Sequence, residues 1–145
     1  MFELHERLAA DSAPVASLSL CHLRLARDAR YPWAILIPQR AGVSELTDLA
    51  PPDQGQLMAE ISAVSHALRQ LHAPDRINVA SLGNLVPQLH IHVVARFRDD
   101  AAWPGPIWGV GQAEPYRAAA LEKACEDLKR TVLTYSSAIK SASRG

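Results

Sequence analysis

The feature that most constrains the fold is one long amphipathic helix in the middle of the chain. It opens at Pro51-Pro52, and apolar residues then recur at alternating spacings of four and three as far as about residue 71. This spacing places the apolar side chains on one helix face. They are Leu57, Ile61, Val64, Leu68 and Leu71. Such a face is stable only when a sheet or another helix covers it, so the rest of the chain must supply that cover.

Strand-like segments lie on both sides of this helix. Residues 17–26 alternate between apolar and polar side chains, as a half-exposed strand does, whereas residues 33–37 are apolar throughout. The segments 77–80 and 88–97 follow the helix, with a turn at 81–84 between them. Strands grouped around one helix, without strand–helix alternation or a Gly-rich fingerprint, predict an α+β domain. Its sheet is expected to be mainly antiparallel, with helices on one face.

Helices are also predicted near both ends of the chain. Residues 2–11 form a short amphipathic segment that stops before Pro14, and a longer apolar stripe runs from about 115 to 139. We expect the tail from about residue 140 to be flexible. A length of 145 residues predicts one domain with one sizeable core.

The composition limits the classes of partner. The formal net charge is zero, so nothing favours nucleic acid or an anionic membrane as a partner. No segment approaches the roughly 20 apolar residues of a membrane span, and the polar N-terminus does not resemble a secretory signal. Cys21 and Cys125 have neither a CxxC partner nor metal-ligand spacing. Both are interpreted as buried free thiols in a reducing compartment, and a cytoplasmic location is expected.

The most reactive set of residues lies in the last predicted strand. Because strand side chains alternate between faces, Gln88, His90 and His92 share one face at intervals of about 6.5 to 7 Å. The apolar residues that face the core instead are Leu89, Ile91, Val93 and Ala95. Two imidazoles and an amide in a row form a surface able to hold an anion, and imidazole gains and loses charge near neutral pH.

Two other interpretations of this face remain open. An isolated His-x-His pair is often solvated surface, and it is also a common metal pair. A metal site needs further ligands, and the other histidines, at positions 5, 22, 66 and 72, show no ligand spacing to the pair. We therefore expect no metal and no other cofactor. Stoichiometric zinc in the purified protein would instead identify a metal-binding protein.

Several segments together resemble the histidine-triad superfamily. The segment Gln88-Leu89-His90-Ile91-His92-Val93-Val94 is similar to its signature, His-φ-His-φ-His-φ-φ with φ apolar, and it follows a Gly-containing turn. Trp33-Ala34-Ile35-Leu36-Ile37-Pro38 resembles the strand ending in Val/Ile-Pro that comes earlier in the family. The resemblance covers roughly residues 17–100. It implies a HIT-like α+β fold, with a mainly antiparallel sheet of about five strands, a long helix and a C-terminal helix.

The resemblance also implies an activity. Members of the family bind nucleoside phosphates and cleave a bond at the α-phosphate, through a nucleotidyl-histidine that water or an acceptor resolves. The attacking middle histidine corresponds to His90, and the third, phosphate-binding histidine corresponds to His92. The ribose-binding acidic residue corresponds to Asp28, and the polar turn before the triad contains Gly83 and Asn84. Many members are homodimers and need no metal, so a homodimer with a small nucleotide substrate is expected.

The side chains suit the implied chemistry. Neutral imidazole is a good nucleophile at pH 7, and its other ring nitrogen must then carry a proton, with a backbone carbonyl as the expected acceptor. Charge on the phosphoryl oxygens needs fixed donors, which His92, Gln88, Asn84 and turn N–H groups can supply. Gln88 stands where the family has its first histidine, and an amide can donate a hydrogen bond but cannot shuttle a proton.

The glutamine leaves two functional interpretations. The preferred interpretation, because the nucleophile His90 is intact, is a nucleotide hydrolase or transferase whose substrate is of the dinucleoside polyphosphate or nucleoside phosphoramidate class. Proteins with glutamine at this position resemble bacterial members that are labelled hydrolases of the diadenosine polyphosphate type. The alternative is a catalytically weak nucleotide-binding module, which the loss of the first histidine favours.

A few other residues are secondary candidates. The Pro- and Gly-rich stretch 99–115 is interpreted as a functional loop. Its Trp103 and Trp108 are expected to stack on a base, complete a dimer contact or pack in the core. Arg96 falls on the histidine face by alternation, where it contacts phosphate or ends the strand in solvent. His22 is interpreted as a surface histidine.

Overall fold

The computed structural model describes residues 1–136 in full and the helical backbone of residues 137–143. The predicted flexible tail, from about residue 140, lies outside the fully described residues. The strands are β1 (Ser12–Ser17), β2 (Cys21–Ala26), β3 (Trp33–Pro38), β4 (Arg76–Ala80) and β5 (Ile91–Arg96). The α-helices are α1 (Glu6–Asp11), α2 (Pro51–His72) and α3 (Ala118–Ser143), and a short 3₁₀ helix spans Leu46–Asp48.

The five strands form one open sheet in the order β1-β2-β3-β5-β4, and each neighbouring pair is antiparallel. This confirms the predicted α+β class and antiparallel sheet. The long helices α2 and α3 pack against each other and against one face of the sheet. Strand residues directed to that face, such as Leu36 and Val93, are completely buried. The main core therefore lies between the sheet and the two long helices.

The opposite face of the sheet is covered only in part. The short helix α1 packs there through Leu8, against Ile35 of β3. A second small cluster lies under the loop that follows β5, and it consists of Tyr31, Val94 and Ile107. A cavity opens on the same face, lined by residues next to both clusters. Alternation along β3 and β5 thus separates the side chains of the main core from those of the cavity.

The strand β1 is missing from the sequence-based prediction, which starts its first strand at residue 17. In the structure β1 pairs with β2 along the edge of the sheet, with a break in register between Pro14 and Ala16. Proline has no N–H for a ladder hydrogen bond, but an edge strand tolerates it. A turn closed by the Leu18 N–H and the Cys21 carbonyl, 2.8 Å apart, then joins the strands, so β2 begins at residue 21.

The other predicted elements are confirmed, with shifts at their ends. β2 has the predicted alternation of burial. Both cysteines are free, as predicted, but only Cys21 is buried, and Cys125 on α3 is partly exposed. The strand predicted for 88–97 is shorter because β3 pairs with β5 only as far as Leu36 opposite Ile91. His90 therefore stands just before the strand instead of within it. A hydrogen bond of 3.1 Å from the Leu89 N–H to the Val43 carbonyl holds this approach segment.

Candidate active site

A cavity of about 770 Å³ lies on the sheet face opposite α2 and α3. Its lining comes from β5 and β3, from α1, from the turn at 82–86 and from Trp108. The structure brings most of the sequence-predicted site residues to it: His90, His92, Asp28, Gly83 and Asn84. This volume suits a small organic ligand. A smaller depression of about 280 Å³ beside Pro74 contains none of the predicted site residues.

His90 is held in one tautomer. Its ring Nδ1 lies 2.7 Å from the carbonyl oxygen of Gln88, and its side chain belongs to a residue that is only 7% exposed. A carbonyl oxygen can only accept a hydrogen bond, so Nδ1 carries the proton. The lone pair is therefore on Nε2. This confirms the expectation that a backbone carbonyl holds the ring proton, and it leaves His90 with a free nucleophilic nitrogen.

His92 is held in the opposite tautomer. Its Nδ1 accepts a hydrogen bond of 2.9 Å from the indole Nε1–H of Trp33, so its proton is on Nε2. Burial and the neighbouring His90 ring, whose centroid is 5.0 Å away, lower the pKa of His92 to about 4. Trp108 packs edge-on against the same ring at 5.1 Å. At neutral pH His92 is thus an uncharged hydrogen-bond donor.

Asp28 lines the cavity but is already bound by the protein. Its Oδ2 lies 2.9 Å from Arg30 Nη2, and its Oδ1 accepts the backbone N–H groups of Arg30 and Glu114 at 3.1 and 3.3 Å. Burial raises the pKa of Asp28, but the hydrogen bonds from Arg30 and Glu114 outweigh it and hold that pKa below its ordinary value. The carboxylate is therefore ionised. Among the described residues, the donors to Oδ2 are both on the Arg30 side chain, so this oxygen has capacity for another donor.

Gln88 does not reach the cavity. Its Oε1 accepts the His5 N–H at 2.9 Å, and its Nε2 donates to the Glu3 carbonyl at 2.8 Å. The side chain is therefore turned toward the N-terminal segment, and the three-residue row expected from strand alternation is broken. The cause is that residues 88–90 precede the paired part of the strand. Alternation holds only within a hydrogen-bonded strand.

The turn before the histidines has the conformation that its glycine permits. Gly83 has a φ of +72°, in the left-handed region that favours glycine. This turn carries the exposed Asn84 to the lining of the cavity that also contains the two histidines. Water can hydrogen-bond to the Asn84 amide when the cavity is empty. The amide can therefore reach a bound ligand without the free-energy cost of burying an unpaired polar group beforehand.

Arg96 has neither of the predicted roles. It is 1% exposed and makes an ion pair with Asp100, with Nε and Oδ2 2.8 Å apart. Its other guanidinium nitrogens donate to Asn78 and to the Gly105 carbonyl. Trp103 lies over the same guanidinium at 5.7 Å. The loop after β5 folds back over the strand end and buries this arginine, so the residue anchors the loop and does not contact the cavity.

Trp33, Leu8 and Arg30 are functional candidates that sequence reasoning missed. Trp33 and Leu8 line the cavity, and Arg30 orients Asp28. The side chain of Trp33 reaches His92 because β3 and β5 are neighbours, with Ile35 opposite His92 in the register. No local sequence pattern predicts this contact, because Trp33 and His92 are far apart in the chain.

The charges around the cavity are few. Arg7 and Arg27 are the arginines that line it. Among the residues that the structure describes, no group of three or more His, Cys, Asp or Glu side chains is arranged to hold a metal ion. In the same part of the chain, no helix has the length and hydropathy to cross a membrane.

The fold and the two histidines, which are held in opposite tautomers, point to one class of protein. Comparison with known proteins identifies that class. The chain matches the HIT domain over residues 7–99 and belongs to that family. Proteins of this family are generally nucleotide hydrolases or nucleotidyl transferases. No curated protein matches the chain significantly.

Solved structures of histidine triad proteins are similar along almost the whole chain. One from Bradyrhizobium japonicum is 44% identical, covers 90% of this chain and 98% of its own, and superimposes with a TM-score of 0.88. One from Marinobacter aquaeolei is 40% identical, covers 93% and 98%, and gives a TM-score of 0.90. One from Sinorhizobium meliloti is 42% identical, with 90% and 96% covered and a TM-score of 0.88.

Proposed function

We propose that this protein is a nucleotide hydrolase or nucleotidyl transferase that acts at the α-phosphate of a nucleoside phosphate, through a nucleotidyl intermediate on His90. The observation that carries the proposal is the tautomer of His90. Its Nδ1–H is bound to the Gln88 carbonyl at 2.7 Å, so Nε2 presents a lone pair inside a cavity of about 770 Å³. An imidazole fixed by its Nδ1, with Nε2 directed into a partly enclosed site, is the arrangement that nucleophilic attack on phosphorus requires.

The reaction takes two displacements. In the first, the lone pair of His90 Nε2 forms a bond to the α-phosphorus, and the bond from phosphorus to the leaving group breaks with its electron pair on the leaving group. In the second, water or an acceptor hydroxyl attacks phosphorus, releases its proton to solvent, and the N–P electron pair returns to His90. The Nε2–H of His92 is positioned to donate to a phosphoryl oxygen throughout, and Asn84 supplies a second donor.

The order of the strands suggests how the nucleotide lies. From His92 on β5 and His90 just before it, the sheet runs through β3 to β2, two strand spacings of about 4.8 Å each, and then reaches α1. Asp28 follows β2, at the distance where the ribose would lie. The apolar side chains of Leu8 on α1 and Ala26 at the end of β2 line the same cavity and offer a surface for the base.

The direct test is detection of the covalent intermediate. The protein is mixed with dinucleoside polyphosphates, nucleotide sugars or nucleoside phosphoramidates, quenched rapidly at neutral or basic pH, and analysed by intact mass spectrometry. We expect one nucleoside monophosphate on the wild-type chain, lost on acid treatment as a phosphoramidate bond is. A double displacement also retains configuration at phosphorus. Inversion at an isotopically chiral phosphorus would contradict the proposal.

Asp28 is proposed to bind the ribose through Oδ2. We expect Asp28→Ala to weaken nucleotide binding by about 1.5–3 kcal/mol, the usual range for hydrogen bonds to a charged group. Because Arg30 also loses its partner, the decisive quantity is the ratio of ribonucleotide to deoxyribonucleotide affinity, which should fall toward one. Calorimetry with both nucleotides measures it. The control is Asp127→Asn on the surface of α3, which should leave the ratio unchanged. A wild-type ratio of one would contradict the assignment.

The outer edge of the sheet is proposed to form a symmetric homodimer. β4 is an edge strand, and the large apolar side chains of Val79, Leu82 and Leu85 on it and just after it are 49%, 45% and 78% exposed. An open strand edge next to exposed apolar residues is a ready surface for pairing with a second copy. The last two residues also line the cavity, so the partner would lie close to the site.

Light scattering should give about twice the chain mass of 15.8 kDa at tens of micromolar protein. Val79→Lys should shift the protein toward the monomer, because a lysine on an edge strand opposes pairing. Leu133→Lys, at a side chain that is 40% exposed on α3, is the matched control and should remain dimeric. A monomeric wild-type protein would exclude the proposed assembly.

A further inference from the structure

The N-terminal segment, residues 2–5, lies on the sheet face opposite α2 and α3. Its side chains Phe2 and Leu4 are half-buried and pack against the cluster that contains Leu8. The helix α1 follows directly, and four of its residues line the cavity: Arg7, Leu8, Ala10 and Asp11. The helix is thus part of the cavity wall, and the N-terminal segment leads into it.

The position of α1 depends on what holds its two ends. The helix has six residues, and isolated helices shorter than about 12–15 residues are marginal in water. Its C-terminal end is fixed to the sheet, because the Asp11 carbonyl accepts the Arg27 N–H at 2.9 Å. At its N-terminal end, the His5 side chain caps the helix by accepting the Arg7 N–H at 3.1 Å. Among the described residues, the hydrogen bonds from the N-terminal segment to the chain beyond α1 are both made by Gln88.

Gln88 binds the N-terminal segment through its backbone. The Oε1 of Gln88 accepts the His5 N–H at 2.9 Å, and its Nε2 donates to the Glu3 carbonyl at 2.8 Å. These two groups flank Leu4, so the amide binds the segment as a neighbouring strand would. An amide keeps its acceptor at every pH, whereas a protonated imidazole has donors only. Because the bond to the His5 N–H needs an acceptor, this contact favours glutamine over the histidine that the family has at this position.

The main chain of Gln88 holds the ring of His90. The carbonyl oxygen of Gln88 lies 2.7 Å from His90 Nδ1. That carbonyl and the Leu89 N–H belong to one planar peptide group, and the N–H is bound to the Val43 carbonyl at 3.1 Å. The peptide group that orients His90 is therefore held from two directions. Val43 holds its N–H, and the N-terminal segment holds it through the side chain of Gln88.

We infer that Gln88 is a positioning residue that couples the N-terminal segment to His90. The segment holds the Gln88 side chain, and the Gln88 carbonyl holds Nδ1 of His90, so that Nε2 is directed into the cavity. Release of the segment has two consequences. The helix α1 loses an anchor, which raises KM, and the His90 ring loses its fixed orientation, which lowers kcat. The inference rests on the proposed function, because the fall in kcat is expected only if His90 Nε2 attacks phosphorus.

The first test removes one backbone N–H that lies outside the cavity. His5 has a φ of −57°, which proline adopts, so His5→Pro deletes the N–H that Gln88 accepts. His5→Ala is the matched control, because it loses the same capping side chain and keeps the N–H. With diadenosine tetraphosphate and adenosine 5′-phosphoramidate as substrates, kcat of His5→Pro should be about 10-fold or more below that of His5→Ala, within the roughly 10²-fold that a 1 Å misplacement costs. Equal kcat values for the two variants would overturn the inference.

A second variant shows whether this effect passes through Gln88. Gln88→Met keeps an unbranched side chain of similar length but removes the amide donor and its strong acceptor. In the Gln88→Met chain, the change from alanine to proline at position 5 should alter kcat less than about 2-fold, because the contact is already absent. A loss in this background as large as in the wild-type background would mean that the two changes act independently, and it would overturn the coupling.

A measurement without substrate separates this inference from the proposed function. At about pH 8.5, two units above the ordinary pKa of imidazole, two-bond ¹H–¹⁵N correlations should place the His90 proton on Nδ1 in the wild-type protein and in His5→Ala. In His5→Pro and Gln88→Met the same ring should show an average of both tautomers. A ring that keeps the wild-type tautomer in both variants would overturn the inference and leave the proposed function standing. A wild-type protein without turnover or adduct would overturn the proposed function, and with it the catalytic consequence of the coupling.

Discussion

Replacing His90 with alanine should abolish turnover, with a loss of about 10³-fold or more, while nucleotide binding changes little. The reason is that the Nε2 of His90 makes a bond to phosphorus only during the reaction, whereas binding depends on the rest of the cavity. The variant should also lose the mass adduct. His92→Gln keeps an N–H donor and should cost less, at most about 10²–10³-fold, the scale for one preorganised donor.

The control for this experiment is a histidine that makes an aromatic contact elsewhere in the molecule. His66 stacks on Tyr135 at 5.2 Å between α2 and α3, away from the cavity, so His66→Ala should retain turnover and the adduct. Steady-state kinetics, calorimetry with a nucleoside monophosphate and intact mass give the three readouts. Turnover by His90→Ala that approaches the wild-type rate would remove the basis of the proposed mechanism.

Replacing Asp100 with asparagine should lower the free energy of unfolding by about 3–5 kcal/mol, because it leaves Arg96 as an uncompensated buried charge. The two side chains are 2% and 3% exposed. Asp100 also accepts the backbone N–H groups of Phe97, Ala102 and Trp103, so an amide would place its own donors against several others. The loop that carries Trp108 should loosen as well, since Arg96 no longer holds the Gly105 carbonyl firmly.

The chain contains a matched pair for this test. Lys123 and Asp127 are also four residues apart, but the lysine side chain is 76% exposed, so Asp127→Asn should cost no more than about 1 kcal/mol. Urea unfolding followed by circular dichroism measures both variants. If Asp100→Asn and Asp127→Asn lower the free energy of unfolding by equal, small amounts, the buried ion pair of Arg96 and Asp100 is not an anchor of the loop.

The same pair makes stability depend on pH. The Arg96 guanidinium, with the backbone N–H groups, holds the pKa of Asp100 well below its ordinary value of 3.8 against the opposing effect of burial. A carboxyl whose folded pKa is depressed contributes its full stability above the ordinary pKa and loses it as the pH falls below. Wild-type protein should therefore lose stability below about pH 4 more steeply than Asp100→Asn does.

Local periodicity was enough to predict much of the scaffold. The apolar stripe of α2, the continuous apolar run of β3 and the alternation of β2 each follow from which side chains one element must bury, and each is confirmed. His90 could also be identified from the sequence as a candidate site residue, because the residues around it match the family's motif. Its tautomer was predictable too, since it depends on a carbonyl only two residues away, in Gln88.

Only the tertiary structure decided which contacts hold the side chains in and around the site. The bond from Trp33 to His92, the capture of Gln88 by the N-terminal segment and the burial of Arg96 all join residues through strand order or chain reversal. None of these contacts repeats with the period of a helix or a strand, so no pattern along the chain encodes them. The sequence by itself identified the candidate histidines, and the tertiary structure decided which hydrogen bonds hold each of these side chains.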